Sequence, residues 1–327
     1  MRVLCNKTPF ASLLIMMQKM FALVGLVLLC GLEAAAQYDP SFSHYWAMET
    51  SFNPAAAGKE KKINLVAAYA MTMVGFENAP KTMYVSGDMP FFALGSYHGV
   101  GAQIMNDAIG IFSHKRLSVQ YSLKRPLLGG VISVGVQGGI LSENMDGSKL
   151  DLETPNDPAF STSEQTGTGF DLAAGLYYVH KDWYIGLSAL HLTAPLVEIG
   201  EKNELQVDRT YYLTGGYNIR LRNPFFTIHP TMLARTDGSA WRVDVGGRVR
   251  YQYEKRMLYA GASYSPTNSV TLLIGGNFHG ISLGYSYEFY TNGISIGNGS
   301  HELCVGYQLD LDFGKKGRNR HQSVRLL

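Results

Sequence analysis

The stretch Trp241-Arg-Val-Asp-Val-Gly-Gly-Arg-Val-Arg-Tyr251 alternates in side-chain character along its length. Trp241, Val243, Val245, Val249 and Tyr251 share one face, and Arg242, Asp244, Arg248 and Arg250 share the other. A two-residue period marks a β-strand, because successive Cβ atoms point to opposite sides of the pleat. Eleven tilted residues at about 3.3 Å each reach across the hydrocarbon layer of a bilayer, and aromatic rings stand at both ends of the apolar face. The stretch reads as one stave of a membrane barrel.

The same period recurs between turn residues in about fourteen segments. The clearest cover 63–73, 129–141, 170–180, 183–192, 209–220, 241–251, 270–278, 281–289 and 301–311, and weaker ones cover 81–89, 97–106, 115–124, 225–234 and 258–265. Alternation alone fits a soluble sandwich as well, so other features must decide. In 280–289 the face opposite Ile281, Leu283, Tyr285, Tyr287 and Phe289 is Ser282, Gly284, Ser286 and Glu288, a lining of small polar groups suited to a crowded lumen. Long connections (142–168, 193–208, 290–300) follow odd-numbered segments, whereas 181–182, 221–224 and 279–280 follow even-numbered ones. Outer-membrane barrels have short periplasmic turns and longer outer loops. The run 304–311 approximates the terminal-strand signal read by barrel-assembly machinery, with Cys304 a poor fit to its polar slot. The expected fold is all-β, a single transmembrane antiparallel β-barrel of about fourteen strands, closed because unpaired backbone groups facing lipid cost several kcal/mol each.

The N-terminus agrees. Met20 to Leu29 is apolar, follows Lys19 and precedes Ala34, Ala35 and Ala36, the pattern of a secretory signal cleaved after Ala36. The long segment before Lys19 points to Met16 or Met17 as the start of translation. The expected organisation is a signal peptide over 1–36, a periplasmic N-terminal segment over 37–62, a barrel over 63–313 and a basic tail over 314–327. Cys5 and Cys30 leave with the signal, so Cys304 has no partner for an internal disulfide. Although 46% of the chain is hydrophobic, the mature part has no unbroken apolar run near the roughly 18 residues a membrane helix requires. A net charge of +2 without a basic stripe argues against nucleic acid as a partner.

The chemical constellations point away from catalysis. His301-Glu302 has no second histidine at helical spacing, and adjacent strand residues face opposite ways, so a structural role is expected. The remaining histidines are scattered singly, and no metal site or cofactor is expected. Acidic residues from Glu143 to Glu164 lack the order of a calcium loop and read as a solvated surface. Gly99-Val-Gly101 and Gly167-Thr-Gly169 fail the nucleotide-binding pattern and are assigned to strand bends and bulges. No G-x-S-x-G elbow is present, and the chain is read as non-enzymatic. Arg242, Arg248 and Arg250, beside Asp244 and Glu288, have two readings, selection of anions or a paired network filling the lumen, and the paired network is the one expected.

The mature start, Gln37-Tyr-Asp-Pro-Ser-Phe-Ser-His-Tyr-Trp-Ala-Met-Glu-Thr-Ser-Phe-Asn-Pro-Ala-Ala-Ala-Gly58, resembles the PorP/SprF family of outer-membrane proteins of type IX secretion and gliding machinery in Bacteroidetes. Matching blocks follow in order: Ala79-Pro-Lys-Thr82, Gly87-Asp-Met-Pro90, Asn106-Asp-Ala-Ile-Gly110, Asn156-Asp-Pro-Ala-Phe160 and Ser300-His-Glu-Leu303. The chain departs from relatives at Ala47-Met-Glu-Thr50 and Met71-Thr-Met-Val74. The resemblance implies an outer-membrane barrel that helps export or anchor surface adhesins bearing C-terminal sorting domains, in contact with periplasmic secretion or gliding components. The barrel alone also fits a channel for hydrophobic or small polar nutrients.

Within the opening block, Asp39-Pro40 and Asn53-Pro54 set turns, and Phe42, Tyr45, Trp46 and Phe52 are too aromatic for an unattached tail. Two readings follow. The block tucks as a plug or brace into the periplasmic mouth of its own barrel, which it meets at high effective concentration, or Asp39, Pro40, Phe42, Tyr45, Phe52, Asn53 and Pro54 bind a partner.

Overall fold

A computed structural model of the protein describes residues 39–149, 163–200, 203–254, 256–266, 268–291 and 298–310. The signal segment, Asp151, Glu153 and Asp157 of the acidic run, the block 156–160, Leu311 and the basic tail lie outside the described residues. Seventeen β-segments are present: β1 (Lys62–Met71), β2 (Lys81–Ala93), β3 (Ser96–Ile109), β4 (Phe112–Leu127), β5 (Gly130–Asp146), β6 (Glu164–His180), β7 (Trp183–Leu190), β8 (Leu196–Ile199), β9 (Asn203–Gln206), β10 (Thr210–Tyr217), β11 (Ile219–Arg220), β12 (Phe226–Thr236), β13 (Trp241–Tyr253), β14 (Arg256–Ser265), β15 (Ser269–Phe278), β16 (Ile281–Tyr290) and β17 (Ser300–Asp310).

Antiparallel pairing runs through neighbours in sequence and closes where β1 meets β17, from Lys62 opposite Asp310 to Met71 opposite His301. β11 continues β10 past Asn218, and both pair with β12, so the barrel has fourteen staves. Every strand read from the two-residue period forms. Closure pairs the first and last strands along their full length, leaving no edge.

The burial pattern is inverted relative to a water-soluble domain. On β2, Met83, Val85 and Met89 are exposed while Thr82, Tyr84, Ser86 and Asp88 are buried. On β4, Leu117, Val119 and Tyr121 face out, and Arg116, Ser118, Gln120, Ser122 and Lys124 face in. The founding stretch behaves the same way: Trp241, Val245, Val249 and Tyr251 are exposed and Asp244 is buried. Such an outer surface is soluble only in acyl chains. Exposed rings form two girdles, with Phe92, Tyr97, Trp183, Tyr217 and Phe225 towards one end and Tyr69, Phe112, Tyr211, Trp241, Tyr264 and Phe289 towards the other. Aromatic rings of this kind sit at the headgroup level on each side of the hydrocarbon.

The two ends differ. At the short-turn end, β2–β3, β4–β5 and β6–β7 are joined by two-residue links, and Leu94-Gly95 and Leu128-Gly129 carry positive φ at both positions, as type I′ hairpins require. Longer connections cluster at the other end, including the one holding β8 and β9. That hairpin was not foreseen. Val197 and Ile199 of β8 pack on Met145 of β5, the Glu198 backbone lies against β6 at Gly167, and the side chains of Pro195 and Val197 lie over Gly169. A Cβ at Gly169 would sit 3.1 Å from Pro195 and from Val197, so this glycine pair accommodates a close approach and is not a bend or bulge.

Ile274, mid-strand on β15 and 58% exposed, tests the lipid-facing assignment. Ile274→Arg should lower folding stability by about 2–4 kcal/mol in phospholipid vesicles, read as a shift in the urea midpoint. An equal cost for Ile274→Arg and Ile274→Gln would remove the hydrocarbon layer from that face.

Candidate functional site

The segment preceding β1, expected on the periplasmic side, lies inside the barrel. It descends from Asp39, near the long-loop end of the wall, to Lys62 at the short-turn end where β1 begins. Its three single 3-10 turns are Tyr45–Ala47, Glu49–Ser51 and Pro54–Ala56. Asn53 caps the last one, its Oδ1 accepting from Ala55 N at 3.0 Å, with Pro54 in the first turn where a missing N–H costs nothing. Short turns leave many backbone groups without partners in the segment. The barrel wall supplies them.

Asp39 is the best-held residue. Its carboxylate accepts from Arg116 Nη1 at 3.1 Å and Tyr212 Oη at 2.8 Å, and His191 Nε2 lies 3.3 Å from both oxygens. His191 Nδ1 is 3.0 Å from Asp171 Oδ2. Arg235 Nη1 donates to the Asp39 and Pro40 carbonyls at 3.5 and 3.2 Å, and Arg116 Nη2 donates to the Ser51 carbonyl at 3.1 Å. Side chains from β4, β6, β10 and β12, with His191 just past β7, thus converge on one buried acid. Burial pushes the Asp39 carboxyl upward, but His191, then Arg116 and Tyr212, outweigh it and hold the group well below the usual carboxylate range. Burial likewise depresses His191, and Asp39 with Asp171 raises it, to about 9.

Further along, Ser43 N and His44 N donate to Glu302 Oε2 and Oε1 at 2.6 and 2.9 Å, and His44 Nδ1 lies 2.6 Å from Oε1. Glu302 sits on β17, the final strand, while His301 faces outward to Tyr285 at 2.7 Å, which resolves the His301-Glu302 pair as structural. Phe42 and Met48 pack with Val66, Tyr84, Met105 and Cys304; Tyr45 and Phe52 pack with Leu190, Tyr212 and Leu233. Phe52 stacks on Tyr212 with centroids 5.5 Å apart, Tyr45 Oη donates to Thr231 at 2.8 Å, and Ser188 Oγ donates to the Phe52 carbonyl at 2.6 Å.

Asn53 is completely buried. Its Nδ2 donates to the Leu176 and Leu187 carbonyls at 3.1 and 3.4 Å, across Gly175 of β6 and Gly186 of β7. A Cβ at Gly175 would collide with Asn53 Oδ1, one at Gly135 with the Ala55 backbone, and one at Gly99 with the Ala57 carbonyl. Gly99 therefore seats the segment, a role different from the strand bend or bulge expected of it. At the short-turn end, Glu49 accepts from Lys59 Nζ and from Tyr177 Oη, the latter at 3.0 Å, and Gly58 N donates to Asp88 Oδ2 at 2.7 Å. The Ala57 carbonyl accepts from Ser122 Oγ and Lys124 Nζ at 2.8 and 2.5 Å.

All seven residues expected to bind a partner thus lie together against their own barrel. Sequence reasoning missed the receiving set, Arg116, Asp171, His191, Tyr212, Arg235 and Glu302. The readable signal was a long charged or aromatic side chain at an inward strand position, as Arg116 and Glu302 show. The lumenal arginines depart from the paired network expected of them. Arg242 does pair, with Asp244 at 3.1 Å and Glu288 at 3.2 Å, but Arg248 lies over the Trp46 ring at 3.9 Å and Arg250 has no ion pair among the described residues. Glu143 of the acidic run is buried beside His114, which departs from a solvated surface. Among the described residues no group of three or more His, Cys, Asp or Glu side chains is placed to hold a metal ion.

Closure, the lipid-facing girdles and the internal segment define an outer-membrane β-barrel whose lumen holds the chain's own residues 39–61. Among solved structures, the CymD monoaromatic hydrocarbon channel is similar in fold, with a TM-score of 0.51 at 10% identity over 86% of this chain and 95% of that one. A FadL homologue from Pseudomonas aeruginosa follows at 0.46 and 11% identity, covering 79% of this chain and 92% of that one. The chain belongs to the type IX secretion system membrane protein PorP/SprF family, whose family model matches residues 34–307. No curated protein matches it.

Two measurements test the plug. Cys304, buried beneath Phe42 and Met48, reports its seating. Gly175→Val and Asn53→Ala should each raise modification of Cys304 by a bulky maleimide about tenfold or more in the detergent-held barrel; unchanged protection would contradict the seating. The second measurement is pH. Asp39, with a depressed folded pKa, contributes above the ordinary aspartate value of 3.8, and that contribution is lost as pH falls through the lower folded value. His191 contributes fully below 6.5, and its contribution is lost as pH rises through about 9. Acrylamide quenching of Trp46 in a W183F/W241F background should therefore be lowest between roughly pH 4 and 6.5, rise between about 6.5 and 9, and level off beyond. A flat profile in H191A and a rising one in wild type complete the assignment.

Proposed function

We propose that this barrel serves the type IX secretion or gliding machinery by assisting export or anchoring of surface adhesins that carry C-terminal sorting domains. The observation that carries the proposal is the family match, which spans plug and barrel together. Short turns and both ends of the barrel chain share one end, which in such barrels is periplasmic. Periplasmic secretion or gliding components would meet the protein there, and cargo would meet the long-loop end. While the plug is seated, Asp39, Phe42, Tyr45, Phe52, Asn53 and Pro54 are held by the wall. A partner that binds these residues and Pro40 must first draw the segment out.

Deleting the gene should strip particular adhesins from the cell surface, with display restored by the wild-type gene and reduced at least several-fold by Asp39→Ala. An unchanged surface proteome in the deletion strain would overturn the proposal. A solute channel is the second reading, favoured by a cavity of about 880 Å³ at the short-turn end. Removing residues 37–61 should then raise conductance in planar bilayers. Silence of both forms counts against it.

A further inference from the structure

The cavity between the plug and the wall from β12 to β17 has two unlike sides. Around the plug, β1 and β2 each acid has a partner: Glu49 takes Lys59 and Tyr177, Asp88 of β2 takes Gly58 N and Asn64, and Glu60 takes Gln308 Nε2 at 2.7 Å; Asp310 at the end of β17 is likewise paired, with Lys62 at 3.2 Å. On the opposite wall the donors lack acceptors. Arg248 and Arg250 are two residues apart on β13, roughly 6.6 Å along the strand, and His229 of β12 lies opposite Arg248 in register. Among the described residues Arg250 Nε and His229 Nε2 are buried with no hydrogen-bond partner, and Arg248 has the Trp46 ring on one side but no carboxylate. Glu254 and Arg256 both stand at the rim.

Buried guanidinium donors without acceptors are costly, and planar forks of this kind match carboxylates in bidentate geometry. The rest of the lining suits a backbone more than an acyl chain. Asn64, Asn218, Gln252 and Asn277 offer amide groups, and Tyr184 and Tyr259 offer ring faces. The chain's own tail carries Lys315, Lys316, Arg318, Arg320 and Arg325, the wrong sign for this wall. We propose that the cavity is a binding site for an acidic peptide segment entering from the short-turn end, its carboxylates taken by Arg248 and Arg250 with His229 beside them. The site goes beyond the adhesin reading and does not depend on it.

The test uses the full chain in detergent and a fluorescein-labelled peptide of four glutamates and a tyrosine, followed by anisotropy. Binding should weaken with salt, and a glutamine counterpart should bind at least tenfold more weakly. R250Q and R248Q should each lower affinity about tenfold, while R242Q, on the paired network, leaves it within twofold. All three variants must retain the heat-modifiable gel shift of a folded barrel; R250K serves in place of any that does not, with partial retention of binding expected. Equal binding of the glutamine peptide, or no loss in R250Q and R248Q, overturns the proposal. Displacement by inorganic phosphate or dodecanoate at the peptide's own concentration also overturns it, in favour of a site for any anion or for a lipid. Since the measurement makes no reference to adhesin display, either reading can fail alone.

Discussion

The structure depends on the absence of water from the hydrocarbon layer. A backbone N–H or C=O facing acyl chains can be satisfied only by another backbone, at a cost of several kcal/mol for each failure. Pairing β1 with β17 over ten registered positions meets that demand and fixes everything else. Closure makes the outer face apolar and creates an interior that must be filled, lined or emptied. The alternation that sends Val245 and Val249 into lipid sends Asp244 and Arg248 into the lumen.

The interior is filled unevenly. Towards the long-loop end the plug and the wall share one polar core, built on a carboxylate that answers side chains from several strands. A buried ion cluster of this kind adds little to net stability against a well-packed apolar alternative, but removing one member leaves uncompensated charge, so it specifies a single seating. Glycines at 99 and 135 bring backbone against backbone, and Gly175 makes room for the Asn53 side chain, where any larger residue would hold the segment off. Towards the short-turn end the filling stops and leaves a cavity with one acid-bearing and one arginine-bearing side. Seat and vestibule are two consequences of one short segment lying against part of a wide wall.

The family match gives the barrel its place in type IX secretion, and the likeness to the hydrocarbon channel speaks for architecture alone. The two are compatible. A barrel with an N-terminal segment in its lumen can close a pore or present a segment, depending on what releases it. In the seated arrangement Asp39 is held by Arg116, His191, Tyr212 and Arg235, and Gly58, with a φ of +61° and a position where a Cβ would sit 2.8 Å from Gly99, accepts no other residue.

Local chemistry made the strands legible. A period of two, turn residues at its breaks and aromatics at its ends needed no tertiary information, so the stave beginning at Trp241 and the rest were readable in order, as was the parity of the connections. The aromatic content of the opening block likewise announced that it must pack on something. What it packs on was decided by closure. Arg116 and Tyr212 are nearly a hundred residues apart in sequence, and only the curvature of the sheet points both at Asp39. Arg242 pairs with Asp244 two residues along its own strand, which the sequence shows, but that Glu288 of β16 joins them and that Arg250 has no ion pair among the described residues depends on what other strands bring near. Periodicity assigns each side chain to a face; the closed cylinder decides which inward side chains meet.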